Sequence, residues 1–212
     1  MKKKSYEYVG DTKANAIKIC KVIKTVLSNT KFNRVLDVGA RNGAVSKVLK
    51  ELNPKADFLL IDPNANALKE AKGFKTKAIY FEDFESEENF DLILMASVLE
   101  HVEKPEEFLK KANKLLASNG NLVIFVPCLN CLFRKQIAWL YRQLRYGGKG
   151  RKEIEKEHLQ LFSCNEIISM LKNNNFTPAY IGCNIIQRKI KETPNIFEKM
   201  QINAVIIRAT KK

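Results

Sequence analysis

The 212-residue chain is poor in residues that break regular structure, with 9 Gly and 6 Pro, which excludes a collagen-like, mucin-like or broadly disordered chain. It also lacks any apolar run near the ~20 residues that a bilayer-spanning helix needs. The longest, Leu122 to Leu129, is broken by Pro127 and reads as a buried strand. The start, Met1-Lys2-Lys3-Lys4-Ser5-Tyr6-Glu7-Tyr8, has no apolar stretch behind its lysines, so no secretory leader is expected. A cytoplasmic protein is expected, with a peripheral place at the membrane as the alternative. Histidine is scarce, with His101 and His158 alone. The five cysteines, Cys20, Cys128, Cys131, Cys164 and Cys183, are an odd number, which argues for reduced thiols over a disulfide framework. Cys128 and Cys131 form a lone C-x-x-C. A zinc site normally pairs two short ligand motifs, and His158 with Cys164 does not supply the second, so no metal is expected.

What remains is an ordinary globular composition, 45% apolar and 28% charged, suited to a single domain over residues 1–212. Charge is uneven. The formal net charge is +14, yet residues 82–107 carry ten acids against one base, Lys104. Residues 129–157 carry eight bases against three acids. A basic excess attracts nucleic acid, anionic membranes or acidic substrates, and it is equally what a lysine-rich surface gives any protein.

Short apolar runs alternate with helical periodicity. Strands are expected at Arg34–Val38, Asp57–Ile61, Lys77–Phe81, Phe90–Ala96 and Leu122–Val126. Between them, Val45, Val48, Leu49 and Leu52 mark one helix, and Ala65 to Ala71 a short one. Pro105 opens a third, carrying Phe108, Leu109, Ala112, Leu115 and Leu116, with Asn119-Gly120 as its stop. This alternation predicts an α/β fold, a mostly parallel sheet covered by helices on both faces. Further on, Phe133, Ile137, Leu140, Tyr141 and Leu144 lie opposite Arg134, Lys135, Arg142 and Arg145, a basic amphipathic helix expected to form a lid over residues 129–157. Ser163-Cys164-Asn165-Glu166 reads as a capping box, and Pro178–Gly182 and Ala204–Arg208 as last strands.

The sharpest chemical signal is Val35-Leu36-Asp37-Val38-Gly39-Ala40-Arg41-Asn42-Gly43, a strand running into a glycine turn and then a helix. Such a turn lets a ligand approach the backbone and presents N–H groups at a positive helix end. The second strand closes on Asp62, whose carboxylate suits the two hydroxyls of a ribose. A nucleoside-containing cofactor at the carboxyl ends of the strands is the chemistry this pattern suggests; the competing explanation is a tight turn and a surface acid.

Val35 to Gly43 resembles the first motif of class I S-adenosylmethionine-dependent methyltransferases, a strand ending in D-x-G-x-G-x-G. The resemblance continues through Leu59 to Asp62, Glu82-Asp83-Phe84, Phe90 to Ile93, Ser97-Val98-Leu99-Glu100-His101-Val102, the helix from Pro105 and Asn119 to Ile124. His158-Leu159-Gln160-Leu161-Phe162-Ser163 is similar to the stretch before a late helix in the small-molecule branch. It implies a Rossmann-like seven-stranded sheet with the last strand antiparallel, and S-adenosyl-L-methionine as cofactor. It further implies that Asp37 helps bind the cofactor ammonium, that Gly39 and the turn through Gly43 pass its methionine part, and that Asp62 holds the ribose. Asp83 would receive the adenine amino group, Phe84 would offer its backbone N–H and an apolar wall, and Ser97 would border methyl transfer. The chain departs from the motif at its middle glycine, which is Arg41 here. A side chain there either crowds the cofactor, points to solvent or attracts the cofactor carboxylate.

Methyl transfer asks mainly for alignment and exclusion of water, with a general base when the acceptor is a hydroxyl. His101 and His158 are the candidate bases, against bracing or packing roles for each. Glu100 and Glu103 are expected as a solvated helix entry. A dinucleotide dehydrogenase would want G-x-G-x-x-G where this chain has G-x-x-x-G. A nucleobase amino methyltransferase would want an Asn/Asp-Pro-Pro-aromatic loop where this chain has Met95-Ala96-Ser97-Val98, so a specific nucleic-acid partner is not favoured. The expected function is methyl transfer to a small-molecule or lipid-linked acceptor, at oxygen ahead of nitrogen or carbon, with contact to an anionic membrane surface as a further expectation for the basic helix. The alternatives are an RNA or other nucleic-acid methyltransferase and a non-catalytic binding protein of the same fold.

Overall fold

The computed structural model describes residues 22–127, 160, 162–185, 190–191 and 202–212. After the helical residues 22–27, the elements are β1 (Arg34–Val38), α1 (Ala44–Leu52), β2 (Asp57–Asp62), α2 (Ala65–Leu68), β3 (Lys75–Ala78), β4 (Phe90–Ala96), α3 (Pro105–Leu115) and β5 (Leu116–Pro127). Then come α4 (Cys164–Asn173), β6 (Phe176–Ile185), β7 (Ile190–Lys191) and β8 (Ile202–Lys211). One sheet holds them in the order β3-β2-β1-β4-β5-β8-β6-β7. Strands β3, β2, β1, β4 and β5 are mutually parallel, and β8 runs antiparallel between β5 and β6. These are the expected seven strands with the last one inverted; the two-residue β7 adds a short edge beyond β6.

Strand alternation sorts the core into two layers. Leu36 and Val38 of β1, Ile93 and Met95 of β4, and Leu122, Ile124 and Val126 of β5 meet Phe108, Leu109 and Ala112 of α3 and Ile167 and Leu171 of α4. Val35, Leu92, Leu94 and Val123 point the other way, onto Leu49 of α1 and onto Ile23 and Leu27. Central strands apolar on both faces are what a helix-covered parallel sheet requires, and this is why their sequence runs rather than alternates. The same alternation puts Asp37 on the Val35 side, facing α1.

Boundaries differ where a turn signal has a second use. The third strand is Lys75–Ala78, earlier than Lys77–Phe81, because Ala78 pairs with Asp62 and the chain then bends so that Phe81 enters the core. Phe81–Asp83 forms a 3₁₀ turn. Helix α3 ends at Leu115, four residues before Asn119-Gly120. Leu116 is already paired with Phe90, and the ladder resumes at Asn121 opposite Leu92. Asn119, at φ 61°, therefore shapes a bulge in β5 and does not cap a helix. The short helix after β2 stops at Leu68, and β5, β6 and β8 run longer than the apolar patterns that flagged them.

The N-terminus of α4 carries the expected capping box. The Ser163 hydroxyl accepts the Glu166 N–H at 3.2 Å, and the Glu166 carboxylate accepts the Ser163 N–H at 2.6 Å. These bonds hold the Glu166 carboxyl below its usual range. Ser163→Ala should cost about 1 kcal/mol of stability in chemical denaturation, the ordinary worth of such a cap.

Candidate active site

Because β2, β1 and β4 are parallel neighbours, their carboxyl ends lie at one edge of the sheet, and Asp62, Gly39 and Ser97 sit there together. The turn after β1 is held tightly. Gly39 and Ala40 both donate to the Ile61 carbonyl, at 2.9 and 3.1 Å, and Gly43 N–H donates to the Ala40 carbonyl at 2.8 Å. Asp62 closes the arrangement: one carboxylate oxygen accepts the Arg41 N–H at 3.0 Å and the other the Asn64 N–H at 2.7 Å.

Three residues of this turn adopt positive φ, namely Gly39 and Gly43 at 69° and Arg41 at 50°. The two glycines serve different purposes. A Cβ on Gly39 would fall 2.9 Å from Val98 Cγ2, so its bareness lets the β1 turn meet the loop after β4. A Cβ on Gly43 would fall 2.8 Å from Leu60 Cδ2 and 3.1 Å from Ala71 Cβ, so that glycine serves the packing of α1 on the sheet. Arg41 takes the backbone shape a glycine favours and is exposed to solvent.

Asp37 is 2% exposed and accepts the Ser46 hydroxyl at 2.6 Å. Burial pushes its carboxyl from 3.8 up to about 7; the Ser46 bond opposes the rise and nearby Asp62 adds to it. A cation arriving at this position would favour the ionised form. Asp62 is 6% exposed, and its two backbone bonds leave lone pairs for further donors. A bare glycine, a buried acid and a second acid with spare accepting capacity fit the ammonium and sugar of an S-adenosylmethionine-type cofactor.

The residues assigned to the adenine are placed differently from one another. Asp83 is exposed on the 3₁₀ turn. Phe84 corrects the expectation of an N–H on offer: its N–H donates to the Phe81 carbonyl at 3.2 Å. Its ring is buried, with the Phe90 ring at 6.3 Å and the Lys77 ammonium 5.6 Å from its centroid, so it belongs to the core.

Ser97 follows β4 at φ 58°, its N–H donating to the Phe125 carbonyl at 2.8 Å. The 3₁₀ turn Leu99–His101 comes next. Here the expectation of a solvated Glu100–Glu103 pair fails in one half. Glu103 is exposed, but Glu100 is 1% exposed, packed under the turn with Leu99 in the core. Burial raises its carboxyl from 4.5 to about 7, against hydrogen bonds from its own backbone N–H and Ser97. The helical spacing that marks α3 does not reach back to Glu100, so nothing in the sequence flags its burial. His101 is partly exposed, its side chain at 19%, with Nε2 4.0 Å from Glu100 Oε1. His158, Cys128, Cys131 and the basic lid at 129–157 lie outside the described residues. Cys164 is buried. Among the described residues no helix is long and apolar enough to cross a membrane.

Residues 13–180 match the family of methyltransferase domains. The chain belongs to that family. Two curated relatives align with part of it. The mitochondrial ubiquinone biosynthesis O-methyltransferase of Candida albicans is 34% identical over 116 residues, 50% of this chain and 34% of that protein. The ubiquinone biosynthesis O-methyltransferase of Bradyrhizobium diazoefficiens is 32% identical over 99 residues, 43% of this chain and 38% of that protein. The aligned segments thus span little more than a third of the length of either relative. Among solved structures, an S-adenosylmethionine-dependent methyltransferase of Thermotoga maritima superposes with a TM-score of 0.72 at 18% identity, covering 93% of this chain and 89% of that one. A plantazolicin methyltransferase bound to a substrate analogue and S-adenosylhomocysteine gives 0.70 at 16% identity, covering 95% and 86%. These likenesses establish the Rossmann-like methyltransferase fold.

The raised value at Asp37 has a thermodynamic consequence. Between its ordinary 3.8 and about 7, folded Asp37 keeps a proton that the unfolded chain has released, so stability falls as pH rises through that window. Asp37→Asn keeps the Ser46 partner and removes the ionisation. Melting followed by circular dichroism should show a smaller loss between pH 5 and pH 8 in the variant than in the parent; parallel curves would mean that Asp37 ionises there without cost.

Proposed function

We propose that the protein moves a methyl group from S-adenosylmethionine to a hydroxyl oxygen of a small or lipid-linked organic molecule. The observation that carries this reading is the meeting of Asp37, Gly39, Asp62 and the Ser97–His101 loop at the carboxyl edge of three adjacent parallel strands. Oxygen as the acceptor atom is supported by the two curated relatives, both ubiquinone biosynthesis O-methyltransferases.

In this reading Asp37 faces the cofactor ammonium and Asp62 accepts from the ribose hydroxyls while keeping its bonds to Arg41 and Asn64. Asp83, exposed on its 3₁₀ turn, would receive the adenine amino group, and Ser97 would border the reacting atoms. Bound there, the cofactor supplies an electrophilic methyl on a positive sulfur. The chain's own contribution is to align the acceptor, exclude water and take up the hydroxyl proton. Partly exposed in the turn after β4, His101 is one candidate for that last task, and His158 is the other. A rival reading, a binding protein without turnover, draws on Arg41 at a position of glycine-like φ.

Incubation with isotopically labelled S-adenosylmethionine and a metabolite extract should yield a labelled product, identified by mass. Binding of S-adenosylhomocysteine with no labelled product would favour the rival. Asp62→Ala should weaken S-adenosylhomocysteine about tenfold or more in calorimetry, the expected loss when charge-assisted hydrogen bonds are removed.

A further inference from the structure

Glu100 is a carboxylate that the cofactor site does not use. It is 1% exposed, and its Oε2 has no hydrogen-bond partner among the described residues. Burying such a group is costly, so a fold that keeps it there holds it against solvation for a purpose other than packing. The surrounding chain is locked. Gln160 N–H donates to the Glu100 carbonyl at 3.1 Å, and Gln160 Nε2 donates to the carbonyls of Val102 and Glu103 at 3.0 and 2.9 Å. One glutamine thus ties the loop after β4 to the segment that enters α4. Val98 seats the same loop against the Gly39 turn.

We propose that Glu100 is a positioning residue that makes His101 the proton acceptor of methyl transfer, its buried carboxylate steadying the imidazolium that forms 4.0 Å away. The inference rests on the O-methyl-transfer reading above. The acceptor's O–H bond breaks and its proton passes to the His101 imidazole. The oxygen forms the new bond to the methyl carbon, and the electron pair of the carbon–sulfur bond leaves with sulfur. The step uses the ionised form of Glu100, which is populated as pH rises through about 7, and the imidazolium afterwards returns its proton to water through its exposed edge. A negative charge a few ångströms away and shielded from water stabilises positive charge as it forms on the ring.

β5 carries no titratable side chain, and Ser97 and Gln160 are neutral. Glu103, Lys104, Glu106, Glu107, Lys110 and Lys114 are exposed, and Lys111 donates to the Glu82 carbonyl at 2.7 Å.

The test needs neither acceptor nor turnover, so it stands apart from the assay of function. The chain has two histidines, and His158→Ala removes the other set of ring signals for assignment. The ring carbon–proton resonances of His101 are followed against pH in the full chain and in Glu100→Gln, which keeps the shape and removes the charge. The midpoint should fall by about one pH unit in Glu100→Gln, the scale expected for loss of a close opposite charge. An unchanged midpoint, in a variant that still binds S-adenosylhomocysteine as the parent does, would reduce Glu100 to a packing role and overturn the proposal. If Glu100→Gln does not fold, the parent alone decides. Two inflections in the His101 curve, one from each member of the pair, support coupling, and a single inflection at the ordinary histidine value refutes it.

Discussion

The geometry of the site hangs on the carboxylate of Asp62. Its two oxygens reach the N–H of Arg41 in the turn after β1 and the N–H of Asn64 at the head of α2. It therefore joins the ends of two neighbouring strands and fixes the path of the chain between β1 and α1. The tight turn presses Gly39 against Val98, and that contact sets where the loop after β4 begins. From Asp62 to His101, each element is placed by the one before it.

Much of this could be read from the residues. The apolar runs of β1 and β4 announce strands buried on both faces, and the structure gives them those bounds. The turn from Gly39 to Gly43 and the acid closing β2 are legible because a glycine turn and a strand-end acid are local signals. The misreadings come from tertiary effects. Asn119-Gly120 is a good helix stop in sequence, yet the pairing of Leu116 with Phe90 ends α3 earlier and gives the dipeptide to a bulge. Phe84 is expected to offer its N–H and an apolar wall to the cofactor, but the 3₁₀ turn engages that N–H and its ring is buried in the core. Glu100 reads as solvated because it stands in an acid-rich stretch just before the helix entry, where Glu103, Glu106 and Glu107 are indeed exposed. Only the fold shows that the turn Leu99–His101 drives it under the surface.

Two acids have carboxyls raised to about 7, Asp37 within β1 and Glu100 in the turn that follows its neighbour β4. Both owe the shift first to burial. The chain accepts reduced stability at neutral pH to keep two latent negative charges near its parallel strand ends. That trade suits a site that receives positive charge: a cationic donor on one side and an incoming proton on the other.

At the far margin of the sheet, β3 is four residues long and exposed throughout, with Lys75 bound to Asp57 at 2.9 Å and Lys77 beside it. A second molecule trying to extend the sheet here would have to bring its backbone up to two ammonium groups along a very short template. Accretion of strands, the first step toward ordered aggregates, is discouraged on this flank by electrostatic repulsion and brevity alone.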